Sequence, residues 1–286
     1  MTLAGDGRFL LVTNGGSGDV SVLRVEDERL DLVGVTATGD DAVSVAEHAG
    51  LVYVLDNGGD GEITGFRLSA DGTLAPIADS TRPLSRAGAD GAQISFTPDG
   101  RALVVTERAT DGISVYAVGD DGRAHGPQPH RSSGATPYGF DFTPDGVLVV
   151  TEAFGAQVGK AAASSYSSGL EPISTSVASG RSEVCWAAVT KDGRYVYVTN
   201  FGDGTISSYR IGGDGTIELL DPVAATTVEG SKGVRDEALT GDGRFLYALD
   251  SDARKVFGFE VRPDGSLTAL GATDGLPATA AGLAAS

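Results

Sequence analysis

Six residues of one chemical class recur along the chain, each at the end of a short apolar stretch: Asn14, Asn57, Glu107, Glu152, Asn200 and Asp250. Carboxylates can move protons in general acid–base catalysis, and both acids and amides can bind a polar ligand or a cation. Asn and Asp also end strands by bonding their own backbone, whereas glutamate is a poorer turn former. We therefore predict catalytic roles for Glu107 and Glu152 and substrate-binding roles for Asn57 and Asn200, with a turn role as the alternative.

A second set of positions lies eight residues before a recurring turn glycine: Ala42, Ala92, Tyr138, Cys185 and Arg235. Arg235 is the one cation among them, and its planar guanidinium suits a substrate carboxylate, phosphate or oxyanion. It is a predicted catalytic residue, unless it forms a salt bridge between neighbouring repeats. Tyr138 and Trp186 are predicted to form apolar walls of the site together with Phe140 and Phe201, with an ordinary core position as the alternative. Asp236, next to Arg235, completes the predicted substrate-binding set.

The chain has no recognisable metal or nucleophile motif. Cys185 is the one cysteine, which excludes an internal disulfide and a thiolate zinc site. The acid-rich Asp-Gly turns lack the ligand spacing of an EF-hand, and no GxSxG, Walker or HExxH pattern occurs. We expect no cofactor and no resident metal. A divalent cation such as calcium, held by the strand-end acids and amides, stays an open alternative.

A repeat positions these residues. Its turn glycine is Gly7, Gly50, Gly100, Gly146, Gly193 and Gly243, so successive copies lie 43 to 50 residues apart. Each copy contains a short strand before the turn, an apolar β-branched strand after it, an alternating strand, and a fourth strand after another glycine turn. A period in the forties with four strands per unit predicts an all-β, six-bladed β-propeller forming one domain over residues 1–286.

The two ends of the chain suggest how the propeller closes. The short first strand is not evident before Gly5, whereas the terminal segment Ala281–Ser286 resembles such a strand. We predict that Ala281–Ser286 pairs with Phe9–Thr13 and completes the first blade, which would remove exposed sheet edges. Loss of an upstream segment is the alternative explanation for a start within a blade.

Charge and hydropathy limit the class of partner. The net charge is −18, and such a surface repels phosphate backbones and anionic membranes. No run of 18 apolar residues predicts a membrane span, and the N-terminus lacks the pattern of a signal peptide. We expect a cytoplasmic protein that acts on a small molecule. Its oligomeric state is not indicated by the sequence.

The repeats resemble those of the lactonase-type β-propeller family, which includes bacterial 6-phosphogluconolactonase and fungal carboxymuconate cyclase. The resemblance rests on FTPDGRALVVTE, GATPYGFDFTPDG and CWAAVTKDGRYVYVTN, and on GLPATAAGLA near the C-terminus. It implies a propeller fold and action on a small lactone. Arg235 in GVRDEAL matches the arginine of the family's PRH-type run.

The chain departs from the family pattern in three ways. Ala92 stands at a histidine position of the family, Asp236 stands where histidine follows the arginine, and the repeats indicate six blades where the family has seven. Two functions therefore stay open. The first is a lactonase or cyclase acting on a sugar-acid or muconate-like lactone. The second is a non-catalytic propeller that binds a small molecule or a protein partner.

Overall fold

Each repeat folds into one antiparallel sheet, because its β-branched stretches alternate with Asp-Gly turns that reverse the chain. The computed structural model describes residues 1–27, 29–277 and 279–286, which group into two compact units, Met1–Arg131 and Ser132–Ser286. These residues form six sheets, five of four strands and one of five. The fold class is therefore the predicted all-β propeller with six four-stranded blades. The single-domain assignment stays a prediction.

The first unit holds three sheets. The first sheet contains β1 (Thr2–Ala4), β2 (Phe9–Asn14), β3 (Asp19–Glu26) and β4 (Arg29–Ala37). The second contains β5 (Ala42–His48), β6 (Leu51–Asp56), β7 (Glu62–Leu68) and β8 (Leu74–Pro76), and the short β9 (Arg82–Pro83) also pairs with β7. The third contains β10 (Gly91–Phe96), β11 (Ala102–Glu107), β12 (Gly112–Val118) and β13 (Ala124–Arg131).

The second unit repeats this plan. Its first sheet contains β14 (Pro137–Phe142), β15 (Leu148–Glu152), β16 (Ala162–Tyr166) and β17 (Pro172–Ala178). The next contains β18 (Val184–Val189), β19 (Tyr195–Asn200), β20 (Thr205–Ile211) and β21 (Ile217–Thr226). The last contains β22 (Val234–Leu239), β23 (Phe245–Asp250), β24 (Lys255–Val261) and β25 (Leu267–Asp274). Across the described residues, no helix is long and apolar enough to span a membrane.

The first sheet already has the strand that the repeat pattern assigned to the C-terminus. Strand β1 pairs with β2 through Thr2↔Leu11 and Ala4↔Phe9, and β3 occupies the other edge of β2. The prediction that Ala281–Ser286 pairs with Phe9–Thr13 is therefore wrong. Three residues are enough for this strand, and Thr2–Ala4 supply them. The described residues after Asp274 form no strand.

The Asp-Gly turns are stabilised by a repeated side-chain contact. In the turn before β11, the Thr97 Oγ1 hydroxyl donates to Asp99 Oδ1 over 2.7 Å, and the Arg101 N–H donates to the same oxygen over 3.1 Å. Gly100 has φ 69°, which glycine adopts without strain. The Thr97 bond holds the pKa of Asp99 below its usual value. The acids of such turns are thus structural, as the turn interpretation predicts.

Buried tyrosines connect neighbouring sheets within each unit. The Tyr53 side chain on β6 is fully buried, and its hydroxyl donates to the Gly122 carbonyl over 2.9 Å. Tyr197 on β19 makes the same contact with Gly265, also over 2.9 Å. Each ring adds apolar area to the contact between two sheets while its hydroxyl keeps a partner. The sheets that carry the candidate site are held in this way.

Candidate functional site

The strand-end acids and amides form hydrogen bonds to protein groups, and the acids accept them from the segment before the first strand of their own sheet. In the second sheet this residue is Asp56, which accepts from the Asp41 N–H and, over 2.7 Å, from the Gly58 N–H. Asp250 plays the same part in the last sheet, where Thr227 Oγ1 donates to Oδ2 over 2.7 Å. The strand-end position of Asp250 was predicted and that of Asp56 was not, and the contacts of both fit the structural alternative.

A one-residue difference in the turn displaces two predicted positions. The turn between β5 and β6 is the two-residue Ala49–Gly50 turn, with φ of 50° and 81°, so it is shorter than the Asp-Gly turns of most other repeats. The repeat alignment, which counts residues from Gly50, therefore selects Asn57, although the strand itself ends one residue earlier at Asp56. Asn57 instead pairs with the Gly91 backbone, donating to its carbonyl over 2.9 Å and accepting from its N–H over 2.8 Å.

Glu107 lies at the end of β11 with no exposed surface. The Ser85 N–H donates to its Oε1 over 3.0 Å and the Ser114 hydroxyl over 2.7 Å, while Thr110 donates to Oε2 over 2.9 Å. The Ser85 hydroxyl also donates to Oε2. Four donors thus surround one carboxylate, and this geometry supports a structural role.

Glu152 at the end of β15 is equally buried and has a similar set of donors. The Gly134 N–H and the Ser164 hydroxyl donate to Oε1, and the Ser176 hydroxyl donates to Oε2 over 2.7 Å. Burial raises the pKa of Glu152, while these donors and Ser132 oppose the shift by stabilising the anion. The catalytic roles of Glu107 and Glu152 stay predictions, and the two residues lie in different units.

Asn200 at the end of β19 makes contacts of the same kind. Its amide Nδ2 donates to Ser207 Oγ over 2.8 Å and to Thr205 Oγ1 over 3.1 Å. Its Oδ1 is buried without a hydrogen-bond partner. The predicted convergence of Glu107, Glu152, Asn200 and Arg235 also stays a prediction.

The first strands of five sheets share an irregularity at the same repeat position. The ladder skips one or two residues at Val43, Ala92, Tyr138–Gly139, Cys185–Trp186 and Arg235. A bulge of this type bends the strand and redirects a side chain, and such bulges are common next to active sites. The second predicted set is therefore a row of bulges, with Val43 replacing Ala42, which pairs regularly with Asp56.

Arg235 is the exposed cation of this row. Its Nε donates to Ser251 Oγ over 2.9 Å, and its guanidinium carbon lies 5.3 Å from the centre of the Phe201 ring. Within the described ranges, no carboxylate oxygen lies within 4.0 Å of its guanidinium nitrogens. Arg235 therefore forms no salt bridge between repeats with any described residue. The remaining guanidinium N–H groups can bind an anion.

Tyr138 and Trp186 form an aromatic pair between two first strands. Their ring centres lie 5.1 Å apart with planes at 52°, and both side chains are half-buried. Gly139 permits the contact, since a Cβ there would lie 2.6 Å from Trp186 Cα. Phe140, by contrast, is 1% exposed and belongs to the core. Phe140 thus takes the core alternative, and the role of Tyr138 and Trp186 as walls of a site stays a prediction.

Three carboxyl groups lie on the first strands of the second unit. Asp236 accepts from the Glu237 N–H over 2.8 Å and from the Leu283 N–H over 2.7 Å, and Trp186 also hydrogen-bonds it. Asp141 on β14 accepts from the Val189 N–H over 2.8 Å. Burial raises the pKa of Asp141 to about 6 and also raises that of Asp236.

Glu237 is the member of this group that sequence reasoning missed. It is 6% exposed, and neither carboxylate oxygen has a hydrogen-bond partner. Burial, together with Asp236 and Asp141, raises its pKa well above the usual value. The signal available in the sequence was a charged residue inside the short strand VRDEAL. For a metal ion the arrangement is unsuitable, since in the part of the chain described no three His, Cys, Asp or Glu side chains form a group that could hold one.

The sheets and the bulged first strands define a lactonase-type β-propeller. The chain belongs to the family described as the lactonase, seven-bladed β-propeller family, whose model matches residues 48–157 and 151–282. Six blades in this chain thus depart from the seven of the family description. No functionally curated protein matches the chain in sequence.

Several solved structures share the fold. A putative 6-phosphogluconolactonase from Bacteroides uniformis is 24% identical over 94% of this chain and 82% of its own, with a TM-score of 0.75. The periplasmic gluconolactonase of Pseudomonas aeruginosa is 20% identical over 93% of this chain and 82% of its own, with a TM-score of 0.73. A functionally unknown protein from Desulfotomaculum acetoxidans is 16% identical over 96% and 88%, with a TM-score of 0.71. At these identities the likeness establishes the fold alone.

Proposed function

We propose that the protein hydrolyses or forms a lactone of a small carboxylic acid, of the sugar-acid or muconate type, beside Arg235. The observation that carries the proposal is an exposed guanidinium without a carboxylate partner, on a first-strand bulge of a chain with net charge −18. Among the described residues, other arginines also lack a carboxylate partner, and what distinguishes Arg235 is its place on a first-strand bulge. Membership of the lactonase propeller family supports the reaction class.

Arg235 would bind the negative charge that develops on the lactone carbonyl oxygen and, after ring opening, the product carboxylate. A guanidinium offers two parallel N–H groups to such an oxygen pair. The Phe201 ring below the guanidinium and the Ser251 hydroxyl limit its rotation, so the group is held before the substrate arrives. Tyr138 and Trp186 would contact the apolar face of the lactone ring. The substrate is a small molecule, since the chain's negative charge disfavours nucleic acid and anionic membranes.

The test is a panel of sugar-acid and muconate lactones, assayed by acid release with and without calcium. Arg235→Ala should lower kcat/KM about 100-fold, the usual loss when one oxyanion donor is removed. Arg235→Lys should restore only part of it, because an ammonium lacks the planar fork. Arg244→Ala is the matched control, since Arg244 is also exposed and lies 5.0 Å from the ring centre of its neighbour Phe245.

Glu107→Gln and Glu152→Gln belong to the same panel. A catalytic carboxylate predicts loss of kcat in a variant that keeps its thermal stability, whereas a structural one predicts loss of stability. Equal turnover by the wild type and Arg235→Ala would contradict the site. Tight binding of a small molecule without turnover of any lactone would favour the non-catalytic propeller.

A further inference from the structure

Glu237 carries the one carboxyl in the described part of the chain whose two oxygens are both buried and without a hydrogen-bond partner. The other buried atoms without partners in the second unit are single atoms, such as Ser208 Oγ and Asn200 Oδ1. An ionised carboxylate in that position would lose its hydration without compensation, which costs far more than leaving a neutral polar atom unpaired. We therefore expect Glu237 either to hold a proton or to receive a hydrogen-bond partner from a bound ligand.

The groups around Glu237 do not neutralise it as an anion. Asp236 precedes it on β22, and Asp141 faces it from β14, so two acidic groups lie nearby. Tyr197 on β19 interacts electrostatically with Glu237, but the Tyr197 hydroxyl already donates its proton to the Gly265 carbonyl. Arg235 directs its Nε to Ser251. This environment favours the neutral carboxylic acid.

We propose that Glu237 is the general acid of the lactone reaction, a protonated carboxyl that donates to the ring oxygen as the lactone opens, with Asp236 as its proton-accepting partner. The inference rests on the proposed function. It is carried by the position of Glu237 two residues from Arg235 on the same strand and by its two unpartnered oxygens. Neighbouring acids that hold their protons with different strength can divide the acid and base roles.

The proton transfers balance over one turnover. Water forms a bond to the carbonyl carbon while one of its protons passes to the Asp236 carboxylate. The bond between the carbonyl carbon and the ring oxygen then breaks, and that oxygen takes the proton of Glu237. Asp236 returns its proton to Glu237, and the product is the hydroxy acid. Ring closure is the same sequence in reverse, with release of water.

Glu107 and Glu152 are less suited to this step. Their oxygens already accept four donors each, including the backbone N–H of Ser85 or Gly134. Both oxygens of each carboxyl are therefore already bound by protein donors. Neither oxygen of Glu237 has a donor that a substrate group would have to replace.

Two measurements on Glu237→Gln test the proposal. In the first, the side-chain carboxyl carbons are followed by NMR during a pH titration, and the variant assigns the Glu237 signal by its disappearance. We expect Glu237 to stay protonated well above the ordinary glutamate pKa of about 4.3. In the second, the variant should lower kcat on the active lactone about 100-fold with little change in KM, and the alkaline limb of the kcat–pH profile should disappear.

Glu260→Gln is the control, because Glu260 is a half-buried residue of β24 that pairs with Arg262, and it should leave both activity and the alkaline limb unchanged. Titration of Glu237 at the ordinary glutamate value would overturn the proposal, as would wild-type kcat in Glu237→Gln. If the panel contains no lactone that is turned over, the proposed function and the general-acid role both fall. The titration then still shows whether Glu237 holds the proton, so the two failures are distinguishable.

Discussion

Buried carboxylates in this chain fall into two kinds according to what their oxygens contact. Glu152 accepts from the Gly134 N–H and from the hydroxyls of Ser164 and Ser176, so its burial is compensated. Glu237 is buried nearly as deeply and accepts from none. The same residue type therefore supports the fold in one place and destabilises it in the other. Replacing each glutamate by glutamine should therefore change the free energy of unfolding in opposite directions at neutral pH.

Glu152→Gln should destabilise the protein. The Gln amide nitrogen cannot accept a hydrogen bond, so at least one buried hydroxyl or N–H loses its acceptor, at a cost of about 1–3 kcal/mol. The measurement is chemical denaturation at neutral pH. Glu171→Gln is the control, because Glu171 is exposed in the turn between β16 and β17. Equal stability of Glu152→Gln and wild type would rule out the supporting role.

At this scale the sequence located the strand-end residues but not the contacts of their side chains. The strand-end position of Glu107 and Glu152 was predicted correctly from the repeat. Their donors come from residues such as Ser85 and Ser132, about 20 residues earlier in the chain, and a repeat alignment does not show such contacts. Glu237 was overlooked because its surroundings include residues of two other sheets, Asp141 on β14 and Tyr197 on β19.

Among the elements, the C-terminal segment Ala281–Ser286 differs most from its predicted pairing with Phe9–Thr13. It adds no strand to the first sheet, and the Leu283 N–H donates to the Asp236 carboxylate over 2.7 Å. The segment thereby returns from the outer strand β25 to the first strand of the same sheet. It supplies one of the donors that keep Asp236 in place beside Arg235.

Leu283→Pro should lower the free energy of unfolding by about 1–3 kcal/mol, because proline has no N–H and leaves a largely buried carboxylate oxygen without this donor. Leu283→Ala keeps the N–H and should lose less. Removal of residues 276–286 should lower Tm by at least as much as Leu283→Pro. Thermal unfolding checks all three, and equal losses in the proline and alanine variants would show that the side chain, rather than the N–H, matters.

The bulges of the first strands are likewise a property of elements. The sequence aligned Tyr138, Cys185 and Arg235 at one repeat position, and the structure places all three at ladder irregularities. The alignment erred by one residue where the Ala49–Gly50 turn is shorter. Turn length is set by backbone conformation, which a count of residues from a glycine does not measure.

For the whole molecule, the net negative charge and the buried acids both lower the free energy of unfolding as pH rises. Burial raises the pKa of Asp141 to about 6 and also raises the pKa of Glu152 and Glu237. A carboxyl with a raised pKa keeps its proton in the folded chain after the unfolded chain has released it. Its contribution to stability is therefore complete below its unfolded pKa and is lost as pH rises through the folded value.

We expect the free energy of unfolding to fall as pH rises from about 4 to 7. Each tenfold difference in proton affinity between the folded and the unfolded chain contributes about 1.4 kcal/mol to this fall. Self-repulsion of the −18 chain adds to the loss, and added salt should reduce that part by screening. Denaturation at several pH values, with and without salt, measures both.

Glu237→Gln should be more stable than wild type at pH 7 and equal to it near pH 4, because glutamine cannot ionise in the buried site. The same denaturation series measures this difference. A wild type more stable than Glu237→Gln at pH 7 would contradict the claim that the Glu237 carboxyl is buried without a partner.

Local patterns in the amino-acid sequence were enough to establish the all-β class, the number of sheets and the order of the main strands in every sheet except the first, whose first strand is Thr2–Ala4. The repeat consists of turns and β-branched strands, which are readable from neighbouring residues. The same patterns located Arg235 and the aromatic pair of Tyr138 and Trp186, because residue type and repeat position define them.

Tertiary contacts determine which acids are compensated, where the two chain ends lie in the sheets, and that Arg235 has no carboxylate partner among the described residues. Each of these depends on residues far apart in sequence. The free energy of a buried charge is set by the donors and charges within a few ångströms of it, and folding brings those groups from several strands. Glu237 owes its isolation, and its proposed chemistry, to that arrangement.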